Sequence, residues 1–240
     1  RLLVYEQNQL VIKKYYNSLL DSFYAALQST AQALGVYDLM EFKRAPLFVR
    51  CKTNNKVILF RGMDNPDKVK SLETPNGPIE HTIMEEADQL TTKDVAQLAF
   101  RMRGGGSKMG AEEVRLLRDM IMQDEPATAE EISRALNIAF GDSSTGENNT
   151  KGQTFILNPV DKKHWIYSRF FEDLPNVGSI YDDKFYEDDD LFVMHSDHWD
   201  NQFLTIEDHL RYESYRDIDE YMYNVYTLGH WGVIGHRVFK

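Results

Sequence analysis

Apolar runs separated by polar stretches predict an α/β protein. Four of these runs have the length of buried strands: QLVIKK (9–14), LFVRC (47–51), KVILF (56–60) and QTFIL (153–157). The polar turn KTNN between the second and third runs predicts a hairpin. Apolar positions at helical spacing predict helices over 18–35, closed by Gly35, and over 92–103. Because strands alternate with helices, we expect a layered fold with a mainly parallel sheet.

A segment in the middle of the chain predicts a helical insertion. It covers residues 105–149 and contains helical patterns at 111–122 and 128–139, so the core consists of 1–104 and 150–240. Its stretch TAEEISRALN resembles part of a helix-turn-helix, yet the two helical patterns and their connection carry seven acids and three arginines. Duplex binding rests on cationic side chains, so this balance favours a lid or a protein-docking module over a DNA reader.

Composition and charge narrow the class of protein. The 240 residues are 42% hydrophobic and 27% charged, as in ordinary globular proteins. The net charge of -11 disfavours a protein that coats nucleic acid with its whole surface, although it leaves room for a local basic groove. A single cysteine, Cys51, excludes an internal disulfide and suits a reducing compartment. The sequence has no apolar run of 18 residues and no leader pattern, so we expect no membrane span or signal peptide.

The stretch TIMEEADQL (82–90) places two carboxylates, Glu85 and Glu86, where an apolar run ends. Adjacent like charges at the edge of a core are costly unless a cation or solvent meets them. An apolar strand followed by two acids has the form of a Walker B element, in which the first acid orients the magnesium shell and the second polarises the attacking water. The pattern alone is weak, since acids also favour the first turn of a helix.

Asn158 is a second candidate, because it ends the apolar run FILNPV (155–160) where a phosphate or a water could lie. Taken alone, the pattern favours a simple turn, since Asn-Pro pairs initiate turns.

Two other polar stretches carry weaker signals. In HSDHWDN, His195 and His198 are three residues apart with aspartates nearby, but the second pair of ligands that a metal site needs is missing. In RGGGSKMG (103–110), Lys108 is followed by Met109 instead of the hydroxyl residue of a phosphate-binding loop, and the stretch follows a helix. We interpret it as a flexible joint.

Seven stretches, in this order, make the chain resemble the large subunit of phage terminases, specifically the PBSX-like group. They are IKKYYNSLLDSFYAAL, ILFRGMDNPDKVKS, IMEEADQL, FRMRGG, FILNPVDKKHWIYSRFF, HWDNQFL and YTLGHWGV. Each stretch alone is a weak match to the family, but the order and spacing of all seven are specific to it. The resemblance implies a P-loop NTPase-like (ASCE) α/β domain that uses ATP and Mg²⁺ to drive viral DNA into a capsid.

The resemblance also implies roles for individual residues. Glu85 corresponds to the magnesium-side acid, contacting Mg²⁺ through water, Glu86 to the catalytic glutamate, and Asn158 to the coupling motif that senses the γ-phosphate. These three residues should lie at one carboxyl edge of adjacent strands, where α/β sheets bind ligands. An arginine finger, or a lysine in its place, would come from among the basic residues Arg61, Lys68, Lys70, Arg101 and Arg103.

The implied setting is the host cytoplasm, with the protein transiently at the portal vertex of the procapsid. The implied partners are double-stranded DNA, the portal protein, the terminase small subunit and further copies of the chain in a ring, with no membrane.

The sequence departs from the family at several points. No G-x-x-x-x-G-K-[ST] loop occurs in the 240 residues, so either the chain lacks its upstream part or it cannot hold a triphosphate by itself. The chain stops at GHRVFK, where the family's nuclease would begin, and residues 105–149 exceed the usual connection. Two alternatives therefore stay open: a truncated terminase-like assembly module without its own nucleotide, and a DNA-binding regulator that uses the insertion.

Overall fold

The structure is a computed structural model that describes residues 7–64, 72, 74, 76–101, 111–122, 127–128, 130–132, 134–135, 152–172, 174, 177–188 and 191–233. The chain divides into two compact units, residues 1–157 and 158–240. The division predicted from the sequence, with an insertion at 105–149, stays a prediction because much of that segment lies outside the described residues. The same holds for the joint at 103–110 and for three candidate cations, Lys68, Lys70 and Arg103.

The first unit is built on a six-stranded mixed sheet flanked by helices. Its strands are β1 (Asn8–Lys13), β2 (Met40–Arg44), β3 (Leu47–Cys51), β4 (Val57–Gly62), β5 (Ile79–Glu85) and β6 (Gly152–Ile156). They lie in the order β2-β3-β4-β1-β5-β6, with β4, β1, β5 and β6 mutually parallel and β2 and β3 antiparallel to their neighbours. The predicted α/β fold with a mainly parallel sheet is confirmed, and so is the hairpin of β3 and β4.

Strand β2 was not predicted from the sequence, although it pairs with β3 along its whole length. Its sequence, MEFKR, has only two apolar residues, and its last two positions are exposed. The strand depends on pairing with its neighbour, a tertiary effect that periodicity alone does not show.

The predicted helix over 18–35 is a composite of three helical types. A 3₁₀ turn (Tyr16–Ser18) leads into a π-helical turn (Leu20–Tyr24), which continues as α1 (Ala25–Ala33). The segment covers one sheet face, where the ring of Tyr24 lies edge-on to Phe60 with centroids 5.5 Å apart. Both side chains are almost fully buried, and burying a side chain of this size stabilises the fold by about 1.5–3 kcal/mol.

Two further helices belong to the first unit. Helix α2 (Thr92–Arg101) corresponds to the predicted helix over 92–103, and α3 (Ala111–Met122) has the bounds predicted for it. The two helices are in contact, and Leu117 and Met120 of α3 are buried. Of the helix predicted over 128–139, residues 130–132 and 134–135 are described, and all of them are helical.

The second unit is helical and rich in aromatic residues. Its elements include α4 (Trp165–Phe170), α5 (Val177–Asp183), the hairpin of β7 (Phe185–Glu187) and β8 (Phe192–Met194), and α6 (Ile206–Ile218), which is followed by a short helix (Glu220–Met222) and a π-helical turn (Tyr223–Thr227). Trp231 is buried against the rings of Tyr167 and Phe171, at centroid distances of 5.2 and 5.0 Å. Across the described ranges of both units, no helix combines the length and apolarity needed to cross a membrane.

Candidate active site

The carboxylate pair lies beside a buried lysine at the carboxyl edge of the parallel sheet. Strands β1 and β5 run parallel with Ile12 opposite Met84, so the next residues, Lys13 and Glu85, are also neighbours. The Nζ atom of Lys13 lies 2.9 Å from Oε1 of Glu86 and 3.7 Å from Oε2 of Glu85. With 4% of its side chain exposed, Lys13 is the cation that meets the two adjacent acids.

Glu85 is held from a second side by the helical segment that covers the sheet. Ser22, in the π-helical turn, donates a hydrogen bond from Oγ to Oε2 of Glu85 at 3.0 Å. Lys13 Nζ lies 3.5 Å from the same Oγ, which gives a closed triangle of ammonium, hydroxyl and carboxylate. The Glu85 side chain is 16% exposed, and an ionised group at this depth depends on such partners.

Glu86 adopts an unusual backbone conformation. Its φ and ψ of 50° and 49° lie in the left-handed region, which costs a non-glycine residue on the order of 1–2 kcal/mol. The conformation ends β5, begins the 3₁₀ turn Ala87–Gln89, and leaves 41% of the side chain exposed. Oε2 accepts a hydrogen bond from Nε2 of Gln89 at 2.9 Å, while Oε1 contacts Lys13. Strained residues of this kind cluster at functional sites.

Lys14 secures the other end of the same connection. Its Nζ lies 2.9 and 2.8 Å from the two carboxylate oxygens of Asp94, which is buried. Asp94 also forms a capping box with Thr91 at the start of α2. Lys14 directly follows β1 and pairs with the first turn of α2, whereas Lys13 contacts the two acids at the end of β5.

The net charge of the cluster determines what it can bind. Lys13 neutralises one of the two carboxylates, so the group formed by Lys13, Glu85 and Glu86 keeps one net negative charge. Among the described residues, Oε1 of Glu85 accepts no hydrogen bond, and Glu86 reaches solvent. An oxygen-rich, partly exposed site with net negative charge suits a hydrated divalent cation, for which oxygen is the preferred ligand.

Asn158 follows the strand next to the carboxylates. Strands β5 and β6 are parallel with Glu85 opposite Ile156, and Asn158 is the second residue after Ile156 in the chain. It is also the first residue of the second unit, and its carbonyl accepts a hydrogen bond from Val160 N at 2.8 Å. Its grouping with Glu85 and Glu86 at one edge stays a prediction.

The two histidines of the HSDHWDN stretch have separate partners. His195 Nε2 lies 2.8 Å from the carbonyl oxygen of Leu228, whereas His198 contacts His209 at 2.9 Å between Nδ1 atoms and Glu213 at 3.3 Å. Within the part of the chain that the structure describes, no group of three or more His, Cys, Asp or Glu residues is arranged to hold a metal ion.

Arg61, a candidate arginine finger, is half-buried near the end of β4. Its Nη1 donates a hydrogen bond to the carbonyl oxygen of Phe60 at 2.8 Å. Burial lowers the pKa of the Arg61 guanidinium from its usual range. The role of an arginine finger stays a prediction for Arg61 and for Arg101.

Sequence reasoning missed Lys13 and Ser22. The signal for Lys13 is present in the chain, because VIKK ends an apolar run with two like charges, as IMEE does. When two such runs are neighbouring parallel strands, their charged ends meet at one edge. Ser22 carries no comparable signal, since a serine on an amphipathic helix is ordinary.

This α/β fold, with two acids at the end of a parallel strand, matches a known protein family. A family model described as phage terminase large subunit matches residues 1–132 and 143–230. The chain is 25% identical over 244 residues to the PBSX phage terminase large subunit of Bacillus subtilis (strain 168), covering 99% of this chain and 46% of that protein. The chain belongs to the phage terminase large subunit family. It spans less than half the length of this relative.

Solved structures of similar proteins include the large terminase of the thermophilic bacteriophage D6E. Crystal form 2 is 16% identical with a TM-score of 0.49, covering 94% of this chain and 41% of that one. The complex of the D6E protein with ADP is 17% identical with a TM-score of 0.49, again covering 94% and 41%. The Phi-28 gp11 DNA packaging motor is 10% identical with a TM-score of 0.41, covering 93% and 58%.

Proposed function

We propose that this chain forms part of the ATPase domain of a terminase large subunit, which couples ATP hydrolysis to the movement of double-stranded DNA into a capsid. Membership of the family supports the motor function. The observation that carries the ATPase assignment is the Glu85–Glu86 pair at the carboxyl end of a parallel strand, with Lys13 2.9 Å from Glu86. Ligands of open α/β sheets bind outside this edge.

In the proposed reaction, Glu86 acts on the attacking water. Its carboxylate is 41% exposed, so a water molecule has access to it. As the water oxygen attacks the γ-phosphorus, Glu86 orients the water and accepts its proton, and the bond from the γ-phosphorus to the bridging oxygen breaks. ADP and inorganic phosphate are the products.

Glu85 would hold Mg²⁺ through a bound water, because its Oε2 makes the contacts with Ser22 and Lys13 and its Oε1 makes neither. When bound, Mg²⁺ neutralises charge on the β- and γ-phosphates. Asn158 is the proposed sensor of the γ-phosphate, since a side-chain amide can both donate to and accept from a phosphate and its water. The proposed partners are double-stranded DNA, portal protein, small subunit and further copies in a ring, at the procapsid vertex in the host cytoplasm.

The test uses the product of the complete coding sequence and compares Glu86→Gln with Glu85→Gln. Glu86→Gln should retain ATP binding and reduce hydrolysis by ~10²–10⁴-fold, because the nearly isosteric amide cannot accept the proton. Glu85→Gln should weaken nucleotide binding only when Mg²⁺ is present, because it removes charge from the metal's shell. Full hydrolysis by the Glu86→Gln protein would overturn the assignment.

The same measurements also test the alternative that the chain is a truncated assembly module. This alternative stays open because the 240 residues contain no G-x-x-x-x-G-K-[ST] loop. An assembly module would bind portal or small subunit without hydrolysing ATP. The wild-type protein would then lack ATPase activity, and neither glutamine substitution would change its behaviour.

A further inference from the structure

We infer that Lys13 is a positioning residue for the proposed ATPase reaction, acting through the two carboxylates. The inference rests on the proposed function, because it gives Lys13 a task only if Glu85 and Glu86 perform theirs. It starts from three contacts of one ammonium group: 2.9 Å to Glu86, 3.7 Å to Glu85 and 3.5 Å to Ser22. Lys13 is 4% exposed, so these contacts replace its hydration.

The contacts restrict the orientation of the Glu86 carboxylate. Lys13 approaches Oε1, and Gln89 donates to Oε2 at 2.9 Å, so each oxygen is tied to a different element of the fold. A carboxylate has about four lone-pair sites, and two donors leave the others available for a water molecule. The side chain is thus held in one orientation while still able to accept a proton.

The position of Lys13 makes it a rigid support. It is the last residue of β1, a strand paired on both sides by β4 and β5, and every residue of β1 is buried. Glu86, by contrast, lies in a left-handed conformation at the start of a turn and is 41% exposed. The ammonium therefore ties an exposed side chain at a turn to a buried strand. Charge-assisted hydrogen bonds of this length are the strong ones in proteins.

Lys14 provides a matched control. It is the next residue, carries the same charge and pairs with a buried carboxylate, Asp94, at 2.8 Å. No contact joins Lys14 to Glu85 or Glu86 among the described residues. A purely structural role for lysines at this strand end would make the two substitutions equivalent, whereas a positioning role would separate them.

The experiment measures kcat and KM for ATP hydrolysis by Lys13→Met, Lys13→Arg and Lys14→Met proteins made from the complete coding sequence. Methionine keeps an unbranched side chain of nearly the same length and removes its charge. Lys13→Met should lower kcat by about 10–100-fold with KM within about twofold, since a misplaced catalytic group costs up to about 10² in rate. Lys13→Arg should recover part of the loss, and Lys14→Met should keep the wild-type kcat.

Folding is checked by thermal unfolding of each variant. If Lys13→Met does not fold, the Ser22→Ala protein is measured instead. This change removes the contacts of the Ser22 hydroxyl with Lys13 and Glu85 without removing a buried charge. Ser22→Ala should then lower kcat several-fold at unchanged KM. A kcat at or above the wild-type value in the folded variant would overturn the inference. Glu86→Gln separates this failure from failure of the proposed function, because it should reduce hydrolysis by ~10²–10⁴-fold whatever Lys13 does.

Discussion

Lys13 ends β1 and Glu86 directly follows the parallel strand β5, and their charged atoms lie 2.9 Å apart. Each residue has a like-charged neighbour in sequence, Lys14 and Glu85, and in isolation each pair is unfavourable. Parallel pairing of β1 with β5 resolves both conflicts, since Lys13 meets the two acids and Lys14 meets Asp94. The connection from β5 to α2 thus contacts the end of β1 through two ion pairs.

The pair between Lys14 and Asp94 should contribute measurably to stability. Asp94→Ala removes a buried ion pair and the capping box at the start of α2, so we expect the free energy of unfolding to fall by about 2–4 kcal/mol. Denaturant unfolding followed by circular dichroism measures this loss. All three tryptophans lie in the second unit, so fluorescence would not report on this site.

The control for Asp94 is an exposed pair in the same unit. Arg134 lies 3.3 Å from Glu112, whose side chain is 84% exposed. Glu112→Ala should change the free energy of unfolding by less than about 1 kcal/mol, since exposed ion pairs contribute little. Equal losses in the Asp94→Ala and Glu112→Ala proteins would show that burial of the Lys14 pair has no energetic consequence.

The parts of this fold that the sequence predicts are those decided by local pattern. Strands β1, β3, β4 and β6 each have a strong apolar run, and the acids of IMEE stand out because they interrupt one. The order of strands in the sheet cannot be predicted in the same way, because the periodicity of a strand does not show which other strand it pairs with. The Lys13–Glu86 contact depends on β1 lying next to β5, so the sequence predicts that a cation or solvent meets the acids but does not identify Lys13.

Other features could not be predicted from the sequence because they depend on tertiary packing. Glu86 adopts a left-handed backbone that sequence statistics assign to glycine or asparagine, and two hydrogen-bonding partners offset the cost. The π-helical turn Leu20–Tyr24 looks like ordinary α-helix in the sequence, yet it presents Ser22 to Glu85. Such turns recur at functional sites, but no residue type identifies them in advance.

Helix α3 should be an integral part of the first unit. Leu117 is fully buried, whereas Met122 on the same helix is 73% exposed. Leu117→Ala should lower the free energy of unfolding by about 2–5 kcal/mol, and Met122→Ala should change it by less than about 0.5 kcal/mol. Circular dichroism during denaturant unfolding measures both. A loss below 1 kcal/mol for Leu117→Ala would indicate that α3 packs loosely on the rest of the unit.

The last prediction concerns the pH dependence of the second unit. His230 is half-buried, with its ring 4.1 Å from that of Tyr181 and 6.0 Å from that of His195. Burial, assisted by the charge of His195 and Lys184 and opposed by Asp197, lowers the pKa of His230 from its ordinary value of 6.5. As pH falls through 6.5, the unfolded chain takes up a proton that the folded unit resists.

The free energy of unfolding should therefore fall as pH falls through this window, and the loss should level off below the folded pKa of His230. His230→Phe keeps an aromatic ring against Tyr181 and removes the titrating group, so it should flatten the dependence between about pH 7.5 and pH 5.5. Urea unfolding followed by tryptophan fluorescence suits the measurement, because Trp165, Trp199 and Trp231 all lie in this unit. An identical pH slope in wild type and His230→Phe would mean that other groups cause the acid sensitivity.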